Sequence, residues 1–126
     1  MDIYREQILD HYNSPQNWGR LATPTASSNV SNSACGDKIT MDVLVKDTRE
    51  SNDKIVEKIA FEAQGCAISV ATASLLTEKA KNQSIAELKK LGSDDIVSLI
   101  GVELTPTRLK CALISLEALH KAIEKV

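Results

Sequence analysis

Four residues of this chain are suited by type and placement to bind a metal: Cys35, Asp37, Cys66 and Cys111. Cys35 and Asp37 belong to Ala34-Cys35-Gly36-Asp37, where Gly36 lets the backbone turn tightly enough for both side chains to face one point. Cys66 follows Gly65 at the expected start of a helix, where unpaired N–H groups and the helix dipole favour a thiolate. Cys111 falls in the opening turns of the last expected helix. At about 100° per residue it projects nearly opposite a Leu109–Leu113–Leu116 stripe, which predicts a thiol held out of that stripe. Three thiolates and one carboxylate complete a tetrahedral ligand set for Zn²⁺, and thiolates also hold iron–sulfur clusters. The carboxylate grips a soft centre less firmly than sulfur does, so one corner of the site is exchangeable. The spacing is not that of a zinc ribbon with paired C-x₂-C knuckles, and an odd number of cysteines cannot close entirely into internal disulfides.

These residues need elements to position them. Residues 2–13 read as a helix, ended by Asn13-Ser14-Pro15 because the residue before proline is pushed out of the helical region. Residues 17–33 read as loop with one short edge strand near 28–33. Residues 38–46 alternate, with Ile39, Met41, Val43 and Val45 on one face and Lys38, Thr40, Asp42 and Lys46 mostly on the other. A polar turn over 47–53 leads into a second strand, 54–63, which makes an antiparallel hairpin. After Gly65 the period becomes helical over 66–81. Ser84-Ile85-Ala86-Glu87 is a capping box, 93–100 is a short helix closed by Gly101, and Thr105-Pro106 opens a long final helix. Strands followed by a run of helices predict an α+β domain spanning 1–126, with helices packed on one face of a small antiparallel sheet.

Composition narrows the function classes. The chain has 126 residues and a formal net charge of −2, with 43% hydrophobic residues and only 3% aromatic ones. Mixed charges and scarce aromatics argue against a nucleic-acid surface, and no apolar run suits a membrane span. The first twelve residues lack the apolar stretch of a signal peptide, so the expected location is cytoplasmic. His11 and His120 read as packed, hydrogen-bonded residues rather than ligands. Arg108 and Lys110 flank Cys111 and would support its thiolate. Trp18 reads as a loop residue covering the core edge or meeting a partner. Hydrolysis at an open zinc is disfavoured, because no His or Glu accompanies the ligands as a general base.

The motifs together resemble the IscU / NifU N-terminal / SufU family of iron–sulfur cluster assembly proteins over nearly the whole chain. The resemblance is carried by Tyr4-Arg5-Glu6-Gln7-Ile8-Leu9-Asp10-His11-Tyr12 with Asn13, Pro15, Asn17 and Gly19, by Ala34-Cys35-Gly36-Asp37, by Gly65-Cys66-Ala67-Ile68-Ser69, and by Arg108-Leu109-Lys110-Cys111-Ala112. It implies the family's IscU/SufE-like sandwich, with Cys35, Asp37, Cys66 and Cys111 binding iron, zinc or a transient [2Fe–2S] cluster. It also implies a pyridoxal-phosphate cysteine desulfurase of the IscS or SufS type as sulfur donor, and apo iron–sulfur proteins as acceptors. Two features point to different branches of the family. Lys110 stands where IscU scaffolds usually carry a histidine, as in zinc-dependent SufU sulfur carriers; the short segment between Cys66 and Cys111 lacks the usual SufU insertion. The scaffold is the expected function and the zinc-dependent sulfurtransferase its alternative. Cys111 is the expected persulfide acceptor of a scaffold, supported by Arg108, and Cys35 that of a relay.

Overall fold

The computed structural model describes residues 3–32, 36–48 and 53–126. Helix α1 (Ile3–Asn13) precedes strands β1 (Ala26–Asn32), β2 (Asp37–Asp47) and β3 (Lys54–Gln64), which are followed by α2 (Ala67–Ala80), α3 (Ile85–Lys89), α4 (Ser93–Ile100) and α5 (Pro106–Glu124). The strands form one antiparallel sheet in the order β1-β2-β3, and α2 and α5 pack on it. This is the expected α+β architecture.

The local chemistry explains the boundaries. Thr105 accepts a hydrogen bond from the Arg108 N–H at 3.3 Å with Pro106 at the first helical position, and Ser84 accepts from the Glu87 N–H at 3.1 Å. Gly101 ends α4 in the left-handed conformation, at φ 80°. Alternation along β2 sends Ile39, Met41 and Val43 into the core, opposite the buried Phe61 and Ile59 of β3. The outer edge of β3 is covered. Phe61 exchanges backbone hydrogen bonds with Asn17 and Gly19 at 2.9 and 2.8 Å, and Val56 pairs with Asn82 and Gln83 at 2.7 and 3.0 Å. Trp18 stands edge-on to the Phe61 ring with centroids 5.4 Å apart, so it does cover the core edge.

Helix α2 runs through the centre of the core, buried without a break from Ile68 to Thr77. A helix enclosed on all sides must have small residues where neighbours press closest, and Ala71, Ala73 and Ser74 supply them. Its polar groups are satisfied: Thr72 donates to the Ile68 carbonyl at 2.6 Å and Thr77 to that of Ser74 at 2.8 Å, while the Ser74 hydroxyl accepts from the Gln16 N–H at 2.8 Å.

Helix α5 departs from expectation. Its buried face is centred on Cys111, Ser115, Ala118 and Ala122, with Ala112, Ile114, Leu116, Leu119 and Ile123 beside them, whereas Leu109 and Leu113 are only half-buried. The stripe of large side chains is therefore not the middle of the contact surface. Small residues contribute little hydropathy, but they let α5 approach α2 and the sheet closely. Cys111, expected to project away from the packed side, lies on it. Among the described residues, no helix is long and apolar enough to cross a membrane.

Candidate metal centre

Three elements converge at one end of the sheet. Asp37 is the first residue of β2 and shares the parity of Ile39 and Met41, so its carboxylate points to the core side and is only 2% exposed. Cys66 is the N-cap of α2, in an extended conformation, and is exposed. Cys111, from the second turn of α5, is buried at 5% exposure. One ligand atom from each of Asp37, Cys66 and Cys111 lies within 4.8 Å of the other two. The Cys66 N–H donates to Asp37 Oδ1 at 3.3 Å, and the Cys66 sulfur lies 3.9 Å from Asp37 Oδ2.

Gly65 makes this approach possible. A Cβ at that position would fall 2.5 Å from Ser69 Oγ and 2.7 Å from Asp37 Cγ, so any side chain there would displace the carboxylate. Gly36, beside Asp37, adopts φ 70°, the left-handed conformation that the expected tight turn requires. Cys35, the fourth expected ligand, lies outside the described residues.

The donor chemistry fits a metal. A carboxylate removed from water needs compensating charge, yet among the described residues no cation pairs with Asp37, and two thiols stand beside it. A divalent ion held by sulfur and oxygen would supply that charge.

Arg108 is exposed one helical turn before Cys111. It lines a cleft of about 500 Å³ together with Arg5, Ile8, Leu9, Ala67 and Ile68. Lys110 lines a different cleft, together with Ser31, Asn32 and Glu117. Neither histidine joins the cluster. His11 Nδ1 lies 2.6 Å from Ser74 Oγ and its Nε2 lies 3.4 Å from Glu78, while His120 Nε2 donates to the Leu88 carbonyl at 3.0 Å. Tyr12, Pro15, Trp18, Ala63, Gly65 and Val70 line a second cleft of about 590 Å³.

Two features were missed from the sequence. Ser69 is fully buried with its hydroxyl 3.8 Å from the Cys66 sulfur; its only sequence signal is a polar residue in the first turn of a helix otherwise rich in apolar ones. Asp42, assigned to the outer face of β2, is also fully buried there. Arg20 Nε and Nη2 donate to it at 2.7 and 3.1 Å, the Leu21 N–H at 3.0 Å, and Ser27 Oγ at 2.5 Å. Burial pushes the Asp42 carboxyl up, but hydrogen bonds from Arg20, Ser27 and Leu21, with the Arg20 charge, outweigh it and hold the group below the usual carboxylate range.

The model of the NifU-like N terminal domain matches residues 3–126. Iron-sulfur cluster assembly scaffold protein IscU 1 of Archaeoglobus fulgidus is 33% identical over 121 residues, covering 96% of this chain and 74% of that protein. Zinc-dependent sulfurtransferase SufU of Bacillus subtilis is 35% identical over 140 residues, covering 98% and 90%. The IscU scaffold protein of Escherichia coli K12 is 31% identical over 123 residues, covering 95% and 91%. Among solved structures, a hypothetical protein superposes with a TM-score of 0.74 at 25% identity, covering 97% of both chains. The N-terminal part of a nitrogen-fixing NifU-like protein from Brucella abortus shares the fold at a TM-score of 0.72 and 21% identity, covering 98% of this chain and 93% of that one. By sequence over nearly its whole length, the chain belongs to the NifU-like N terminal domain family, whose relatives include the IscU scaffolds and SufU.

Proposed function

We propose that this chain is an iron–sulfur cluster assembly scaffold. It takes sulfur from a pyridoxal-phosphate cysteine desulfurase of the IscS or SufS type, assembles a transient [2Fe–2S] cluster as cargo, and passes it to apo-proteins. Cys35, Asp37, Cys66 and Cys111 are the ligands. The observation that carries this reading is the convergence of Asp37, Cys66 and Cys111 within 4.8 Å around a carboxylate that no described cation neutralises. Asp37 is the exchangeable corner, because its oxygen is the hard ligand among soft ones.

In place of the expected Cys111 we assign sulfur acceptance to Cys66, a reading supported by its exposure where Cys111 is buried. The Cys66 thiolate attacks the outer sulfur of the donor's persulfide. A new S–S bond forms on Cys66, the donor's S–S bond breaks, and the donor leaves as a thiolate, with no net oxidation. Reduction of that sulfur to sulfide then takes two electrons, from an external electron-transfer protein. The three large hydrophobic side chains exposed among the described residues, Leu9, Tyr12 and Trp18, line the two clefts that also include Gly65 and Ala67, the chain neighbours of Cys66, which suits the approach of a protein donor.

A second reading is favoured by Lys110 and by the SufU relative: a zinc-dependent relay that passes persulfide sulfur on without building a cluster. Against it, the SufU alignment is 140 positions long for a 126-residue chain, so SufU carries insertions that this chain lacks. The test is to supply desulfurase, cysteine, iron and a one-electron donor, then follow visible absorption and locate persulfide by mass spectrometry. A [2Fe–2S] spectrum, with persulfide lost in Cys66→Ser, is the expected result. Retained zinc with sulfur transfer and no cluster establishes the relay, and persulfide on no cysteine rejects both.

A further inference from the structure

We infer that Ser69 is a positioning residue for the Cys66 sulfur, donating a hydrogen bond to it once it is a metal-bound thiolate. The inference rests on the metal reading above and extends it to a residue that is not a ligand. Ser69 is fully buried and has one proton to donate. That proton now goes to the Cys66 carbonyl at 3.0 Å, while the Cys66 sulfur lies 3.8 Å from the Ser69 hydroxyl oxygen itself. With a neutral thiol, the one S–H has two acceptors within reach, Ser69 Oγ at 3.8 Å and Asp37 Oδ2 at 3.9 Å, and towards the sulfur Ser69 acts as an acceptor. Once the sulfur is an anion the polarity reverses, and the hydroxyl becomes the only one of the pair able to donate.

The switch needs no backbone movement, because both acceptors belong to one residue and the hydroxyl only turns. The carbonyl it leaves is not stranded, since the Val70 N–H also donates to it at 3.2 Å. Ser69 Oγ and the Asp37 carboxylate both stand in the space beside Gly65 that a Cβ would otherwise fill. Thr72 offers the contrast, one turn further on. Its buried hydroxyl makes the same kind of bond to the Ile68 carbonyl at 2.6 Å, further along the helix from the N-cap position that Cys66 occupies. Cys66 is also the ligand of the cluster that burial constrains least. A donor behind it holds the sulfur towards Asp37 and Cys111 and withdraws electron density from it, as hydrogen bonds around metal-bound sulfur do.

The experiment loads the whole chain with Co²⁺ and records the thiolate-to-cobalt charge-transfer band, with affinity measured against a competing chelator. Ser69→Ala should move the band to lower energy and weaken Co²⁺ binding about tenfold. Ser69→Thr should restore both values, and Thr72→Ala, which loses an equivalent helix bond away from the sulfur, should match the parent. If Ser69→Ala fails to show helical circular dichroism, the isosteric pair Ser69→Thr and Ser69→Val carries the same comparison. Bands and affinities unchanged in Ser69→Ala, or equal in the isosteric pair, overturn the role of Ser69 and leave the metal site standing. A parent protein whose Co²⁺ spectrum has no thiolate band overturns both.

Discussion

Strand β2 carries two buried carboxylates that face opposite sides of the sheet, and their surroundings differ. Asp42 is enclosed by Arg20, the Leu21 N–H and Ser27, its cross-strand partner on β1. Its charge is neutralised and its lone pairs are used, so it pins the segment after Gly19 to the sheet. Asp37 is nearly as buried, but its neighbours among the described residues are the Cys66 N–H and the thiols of Cys66 and Cys111. A carboxylate with a built-in cation serves the fold. One with ligand-type neighbours and no cation is arranged for a charge that arrives from outside.

The largest effect should come from crowding Asp37 without altering it. Gly65→Ala places a methyl group against the Asp37 carboxylate and Ser69 Oγ, and Zn²⁺ affinity should fall about a hundredfold in a chelator competition. Unchanged affinity would show that Asp37 is not held where binding needs it. Next comes Asp42→Ala, which strands the Leu21 N–H and the Ser27 hydroxyl. It should cost about 1–3 kcal/mol in urea unfolding while leaving Zn²⁺ affinity within about twofold. Asp37→Ala should do the reverse. In the metal-free protein its stability should change by less than about 1 kcal/mol. The reconstituted [2Fe–2S] band should outlast that of the parent, with slower transfer to an apo-ferredoxin, because the exchangeable oxygen is gone. A metal-free Asp37→Ala as destabilised as Asp42→Ala would erase the distinction between the two carboxylates.

The smallest effect is a pH dependence. The folded Asp42 carboxyl takes up its proton at lower pH than in the unfolded chain, where uptake occurs near about pH 4. Its contribution is therefore fully present above about pH 4 and is lost as pH falls through the depressed folded value. Asp42→Asn should flatten the fall of unfolding free energy below about pH 4. A slope equal to that of the parent would mean that other carboxylates govern acid unfolding.

Local chemistry made most of the elements legible in advance. The capping box at Ser84, the Thr105-Pro106 start of α5, the Gly101 stop and the alternation of Ile39, Met41 and Val43 act within a few residues, so spacing alone reports them. The ligand types and the order of their motifs were legible for the same reason. Three things were not. The burial of Cys111 depends on which face of α5 meets α2, and small residues selected that face where a stripe of leucines had been expected. The burial of Asp42 depends on Arg20 closing over the outer face of the sheet from a distant loop. The exposure of Cys66, which makes it the sulfur entry point in the proposed mechanism, depends on how the start of α2 meets the start of β2.

By itself, then, the sequence determined the succession of elements and the identities of the candidate ligands, because helix caps, strand alternation and side-chain chemistry are short-range properties. Only the tertiary structure decided which thiol meets solvent, which carboxylate has its own cation and where the Ser69 hydroxyl stands. Each of those depends on atoms brought together from distant parts of the chain, and long-range packing leaves no periodic mark in the sequence.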